Sequence, residues 1–143
     1  MKILGGEDLS RPSRDEYYLA IAKQVAQRST CLKNKVGAVV VVGDMIVATG
    51  YNGAPRGEPH CIDIGFCARE NQPRGHGYED CRGVHAETNA LLMAAKHGIS
   101  VNGGTMYVTS KPCNICRKLM KQAGISKVIY LDDEGKMQSY MIE

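Results

Sequence analysis

His85, Cys113 and Cys116 are residues whose types and spacing suit one zinc ion. A neutral imidazole and two thiolates supply three donors and leave the fourth tetrahedral position open to water, which is the mark of a catalytic site. Glu87, two residues past His85, is a poor fourth ligand at that spacing but is well placed to move protons beside a bound water. Zinc lowers the pKa of such a water toward about 7. One carboxylate can take that proton, pass it to the substrate, and then protonate the leaving group. The bland reading is a structural zinc with an unidentified fourth ligand, Glu87 being an ordinary acid in a helix's first turn. His-x-Glu combined with Pro112-Cys113-x-x-Cys116 argues against it, whereas Pro-Cys-x-x-Cys alone, shared with redox and structural sites, would not.

The flanking sequence must present these groups together. On an ideal helix, residues two apart point about 200° away from each other. His85 and Glu87 therefore cannot both face one metal from mid-helix, and His85 is expected at or just outside the start of a helix that stops at Gly98. Pro112 opens a second helix over residues 113–123, closed by Gly124, whose N-terminus stabilises thiolates. Upstream, Ser13 and Glu16 have the form of a capping box. They start a helix to about Arg28, with Tyr18, Ile21, Ala22 and Val25 on its apolar stripe. Residues 36–42 and 45–49 predict a buried hairpin about a Gly43-Asp44 turn. Strands are also expected at 105–109 and 127–131, while 132–143 is too polar to assign and 1–12 reads as a loose arm. Strands alternating with helices predict an α/β domain: an antiparallel hairpin first, then strands joined by helical crossovers.

At 143 residues the chain predicts one domain, 1–143, with no room for an accessory catalytic domain. It is 43% apolar, with no window near the roughly 20 apolar residues of a membrane span, and the N-terminus lacks a signal-peptide core. A soluble, cytoplasmic protein is expected, in which thiols stay reduced and the six cysteines read as metal ligands before disulfides. The net charge of +3 is interspersed, suiting a small anionic ligand and giving no basic stripe for a polynucleotide, so no nucleic-acid partner is expected. Residues 56–83 form a Cys-rich, Gly- and Pro-containing insertion without periodicity, unusual unless something holds it. Cys31, Cys61, Cys67 and Cys81 are four in number, as a closed structural zinc requires, and His60 or His76 could replace Cys67 or Cys81. Free, half-buried thiols are the alternative. Arg56, Arg69, Arg74 and Arg82, in or beside the insertion, could supply a guanidinium fork for a phosphate.

His85-Ala86-Glu87 with Pro112-Cys113-Asn114-Ile115-Cys116 matches the signature of zinc nucleobase deaminases. Residues 82–95, 105–116 and 123–131 resemble the cytidine/deoxycytidylate deaminase family. Ser29-Thr30-Cys31, Val36-Gly37-Ala38-Val39, Gly50-Tyr51-Asn52-Gly53-Ala54-Pro55 and Pro59-His60-Cys61 are similar to its deoxycytidylate (dCMP) branch. The resemblance implies a cytidine-deaminase-like three-layer α/β/α sandwich with a mixed sheet of four to five strands. It implies hydrolysis of dCMP to dUMP and ammonia, supplying the thymidylate precursor, with catalytic zinc on His85, Cys113 and Cys116 and Glu87 as proton carrier. It places Asn52 on the substrate's sugar hydroxyl, although Asn between glycine-rich neighbours also suits a turn. It further implies a second zinc whose ligands include Cys31 and Cys61, a homohexamer, and dCTP and dTTP as effectors near Gly50, Tyr51, Asn52 and Gly53. The rival readings are the same fold acting on dCTP as well as dCMP, on guanine or on the wobble adenosine of tRNA, and a DNA-uptake or binding module without turnover. Intact Glu87 argues against the last.

Overall fold

The computed structural model describes residues 10–73 and 76–142. Most of the expected N-terminal arm, and Arg74, lie outside the described residues. Helix α1 (Arg14–Ala26) leads into the hairpin β1 (Gly37–Val42) and β2 (Met45–Tyr51). The insertion follows, and then α3 (Ala86–Lys96), β3 (Thr105–Val108), α4 (Asn114–Ala123), β4 (Lys127–Leu131) and β5 (Met137–Met141). The insertion is not structureless: it carries a single-turn helix α2 (Cys61–Ile64) and a 3-10 turn at Tyr78–Asp80. Both are too short to leave a periodic signal in the sequence.

The sheet runs β2-β1-β3-β4-β5. Strand β1 is antiparallel to both β2 and β3, β3 is parallel to β4, and β5 returns antiparallel to β4. The hairpin turns at Gly43 and Asp44, both at positive φ, as a two-residue turn matched to strand twist demands. Strand β1 is an unbroken apolar run because both its faces are covered. Val39 and Val41, with Tyr107 and Ile129, pack under α1. Ala38 and Val40, with Met106, Val108 and Val128, pack with Ala90 of α3 and Met120 of α4. The architecture is thus the expected α/β/α sandwich, with the mixed sheet at five strands.

Two details differ from expectation. Helix α1 is capped as foreseen, Ser13 Oγ accepting from Glu16 N at 3.1 Å. Its buried face, however, is Tyr18, Leu19, Ala22 and Ala26, with Ile21 and Val25 only partly covered. The cause is Gly37: a Cβ there would collide with the backbone of Ala22 and Ala26, so the helix rests on its small residues. The second is β5, which a polarity pattern does not reveal because it is an edge strand in which only Tyr140 is partly buried. Its hairpin is held by Asp132, whose Oδ1 accepts from Glu134 N and Lys136 N, each at 2.9 Å. Among the described residues no helix is long and apolar enough to cross a membrane.

Candidate active site

The site is built where two helices begin. His85 is the N-cap of α3 in extended conformation (φ −65°, ψ 153°), just outside the helix as its spacing from Glu87 requires. Cys113 is the N-cap of α4 (φ −75°, ψ 170°), and Cys116 lies in that helix's first turn. A short ladder fixes His85 along the chain. Gly53 N donates to Val84 O at 3.2 Å, and Val84 N to Gly53 O at 2.7 Å. Asn89 Nδ2 donates to Tyr51 O at 2.8 Å and Val84 O at 3.2 Å, so one side chain of α3 ties down both stems of the insertion. Gly50 lets α3 sit on β2, since a Cβ there would strike the backbone at Ala86 and Ala90.

His85 Nδ1 stands 3.4 Å from Cys113 Sγ and 3.3 Å from Cys116 Sγ. A tetrahedral zinc with Zn–N of about 2.0 Å and Zn–S of about 2.3 Å separates nitrogen from sulfur by roughly 3.5 Å. The three donors therefore fit such an ion, and they are the one group of three or more potential metal ligands among the described residues. The two thiols act as a pair: their mutual hydrogen bond lowers Cys113 to about 4, helped by His85, and raises Cys116. His85 is raised, chiefly by its hydrogen bond with Cys113. Glu87 is only 4% exposed, and burial pushes its carboxyl up, opposed by hydrogen bonding to its own backbone and by the charge of His85.

His85, Glu87 and Cys113 open onto a cavity of about 440 Å³. Asn52 also lines it, but its side chain is already at work: Oδ1 accepts from Ser29 Oγ at 2.6 Å and Val36 N at 2.8 Å, while Nδ2 donates to Asn34 O at 2.7 Å. These bonds fasten residues 29–36 to the end of β2, and one further amide hydrogen is left. Of the expected phosphate ligands, Arg82 lines the cavity and Arg56 does not. Arg69 lines it as well, but its guanidinium donates to the carbonyls of His76 (2.7 Å) and Pro73 (3.2 Å). Lys33, Lys35 and Lys111 complete the basic wall, Lys33 being engaged by the carbonyls of Arg69 and Gln72. Among the described residues no hydrogen bond or ion pair engages the side chains of Arg82, Lys35 or Lys111. The two lysines were missed because each is a lone cation in a loop, and only the fold brings them to the site.

Cys31, Cys61, Cys67 and Cys81 line the same cavity, all as free thiols. They are near enough to one another to raise Cys61, whose thiol is pushed up first by burial and then by Cys31, Cys81 and Cys67. They do not close into a donor cluster as tight as that at His85. Of the histidine alternatives, His60 Nδ1 pairs with Thr30 Oγ1 at 3.1 Å, whereas the bond from Arg69 at His76 is to the backbone carbonyl and leaves its imidazole available.

Two helix N-termini that present an imidazole and two thiols beside a buried carboxylate, under a mixed sheet of this order, define a zinc deaminase class of site. Residues 12–132 match the family model described as the cytidine and deoxycytidylate deaminase zinc-binding region, and the chain belongs to that family. The chain is 43% identical over 129 residues to the deoxycytidylate deaminase of Mycobacterium phage D29, covering 85% of this chain and 97% of that one. It is 42% identical over 122 residues to the deoxycytidylate deaminase of Schizosaccharomyces pombe, covering 84% of this chain but only 37% of the longer yeast protein. Its fold is similar to the crystal structure of dCMP deaminase from cyanophage S-TIM5 in complex with dCMP and dUMP. That match has a TM-score of 0.71 and 34% identity, over 86% of this chain and 84% of that one.

Proposed function

We propose that this chain hydrolyses dCMP to dUMP and ammonia, with zinc on His85, Cys113 and Cys116. The observation that carries the reading is the geometry of that donor set beside buried Glu87, at a cavity with unengaged cations in its wall. The phage relative's name and the dCMP and dUMP held by the S-TIM5 enzyme support the substrate. Bound there, zinc would supply Lewis-acid activation of water at neutral pH. Glu87 takes a proton from the attacking water, delivers it to N3 of the cytosine ring, and carries the second proton to the amino group that leaves as ammonia. Its burial excludes bulk water that would compete for those protons. Lys35, Lys111 and Arg82 bind the 5′-phosphate, and the remaining amide hydrogen of Asn52 meets the sugar hydroxyl.

Family resemblance extends the proposal to a cytoplasmic, hexameric enzyme supplying the thymidylate precursor, with dCTP activating and dTTP inhibiting. The Gly53–Val84 pairing supports such control, because it links the Gly50–Gly53 loop to the residue before His85. A second zinc on Cys31, Cys61, Cys67 and Cys81 is supported by their sharing one cavity wall, and it would draw thiols that already repel one another's ionisation into a closed set. The test is ammonia release from dCMP, dCTP, CMP, deoxycytidine, guanine and a tRNA anticodon stem, with and without dCTP as effector. Turnover of dCMP, faster with dCTP, is expected. Activity only on guanine or tRNA would leave the zinc chemistry standing and overturn the substrate.

A further inference from the structure

One residue of the insertion reaches the His85 ring without belonging to the donor set, and a second backs it. The Tyr78 ring meets the imidazole edge to face, with centroids 4.7 Å apart and planes at 89°. The guanidinium of Arg69 lies over the Tyr78 ring, Cζ 4.2 Å from its centroid. Arg69 is only 8% exposed and is fixed at both ends: its side chain donates to the carbonyls of His76 and Pro73, its backbone N donates to Cys67 Sγ at 3.4 Å, and its carbonyl accepts from Lys33 Nζ. An arginine meant for an incoming anion presents its fork to the site, whereas this one commits two donors to its own loop and its flat face to a ring.

A metal-bound imidazole usually donates its second ring N–H to a carboxylate or carbonyl, and that bond fixes the ring plane. Among the described residues, both hydrogen bonds of the His85 ring are at Nδ1, the atom turned toward the two sulfurs. Among the described residues no carbonyl or carboxylate engages Nε2, so packing must orient the ring. We propose that Arg69 and Tyr78 form a clamp that sets the plane of the His85 imidazole, so that the insertion holds one metal donor in register with the two thiols. Both are positioning residues, and the inference rests on the reading that His85, Cys113 and Cys116 hold zinc.

The test measures zinc transfer from the loaded chain to a chelating dye, together with the visible bands of the cobalt(II)-substituted chain. Loss of outer-shell support typically costs 10- to 100-fold in metal affinity, so Tyr78→Leu is expected to release zinc about tenfold faster or more. Its cobalt bands should shift, while Tyr78→Phe, which keeps the ring, should stay within about twofold of the parent and keep the parent spectrum. Arg69→Lys, which keeps the charge but loses the flat stacking surface, should fall between them. It also serves if Tyr78→Leu does not fold. A folded Tyr78→Leu, or an Arg69→Lys, that holds zinc as the parent does would overturn the clamp alone. A parent chain that takes up no zinc would overturn the metal reading and the clamp with it.

Discussion

At the scale of single residues, the chemistry turns on how Glu87 is buried. A carboxylate that is 4% exposed, with no cation of the chain paired to it among the described residues, is costly to ionise, and burial raises its pKa accordingly. A divalent ion on the neighbouring donors acts in the opposite direction, favouring the charged form. A carrier that serves base and acid steps needs both pulls on one carboxyl, burial favouring the protonated form and a cation the ionised one. Glu87→Gln keeps the size and hydrogen-bonding capacity but cannot exchange that proton. Its kcat is expected to fall by about 10²- to 10⁴-fold with one catalytic zinc still bound per chain, as read by steady-state ammonia release and metal analysis. A Gln variant that turns over like the parent would remove Glu87 from the proton path, and one that loses zinc would make it part of the metal's support.

At the scale of elements, the site depends on how closely α3 lies on the sheet. Gly50 in β2 faces the first turn of α3, where a methyl group would meet backbone at Ala86 and Ala90, which cannot rotate away. Gly50→Ala is therefore expected to destabilise the fold by about 1–3 kcal/mol or more, lowering the thermal midpoint by several degrees. It should also weaken zinc retention, because Ala86 follows His85. An unchanged melt would show that α3 can shift without cost. This dependence also explains what the sequence could and could not reveal. The His85, Glu87, Cys113 and Cys116 arrangement was legible because each residue's place relative to a helix start is a local property. The hairpin was legible because β1 is buried on both faces and its turn needs Gly43 and Asp44. The stripe of α1 was legible, but its centre shifts toward Leu19 and Ala26 because a glycine in another element sets it, and β5 was hidden because only Tyr140 in it is partly buried. Lys35, Lys111 and the Tyr78 contact to His85 lie in loops, where only the finished fold decides which side chains meet.

For the molecule as a whole, the outer helix α1 must stay on the sheet if the opposite face is to hold α3 and α4 in place. Much of that layer is apolar, but two phenols tie it electrostatically: Tyr107 of β3 donates to Asp15 at 2.7 Å, and Tyr18 of α1 donates to Asp44 at 2.9 Å. Burial, and then the hydrogen bond to Asp15, push the ionisation of Tyr107 well above its usual value near 10. The direction of the linkage follows. In the unfolded chain the phenol ionises near about pH 10, whereas in the fold it keeps its proton, so the stability it contributes is complete below that pH and is lost as pH rises toward the folded value. Tyr107→Phe should lower the melting temperature at neutral pH, since it removes a hydrogen bond to a charged group worth about 1.5–3 kcal/mol. Yet it should lose less stability than the parent between about pH 9 and about pH 11, because one alkaline term is gone while that of Tyr18 persists. Thermal melts of both proteins across that range decide the matter: parallel curves would mean that Tyr107 does not couple the helical layer to the sheet through its proton, and converging curves that it does.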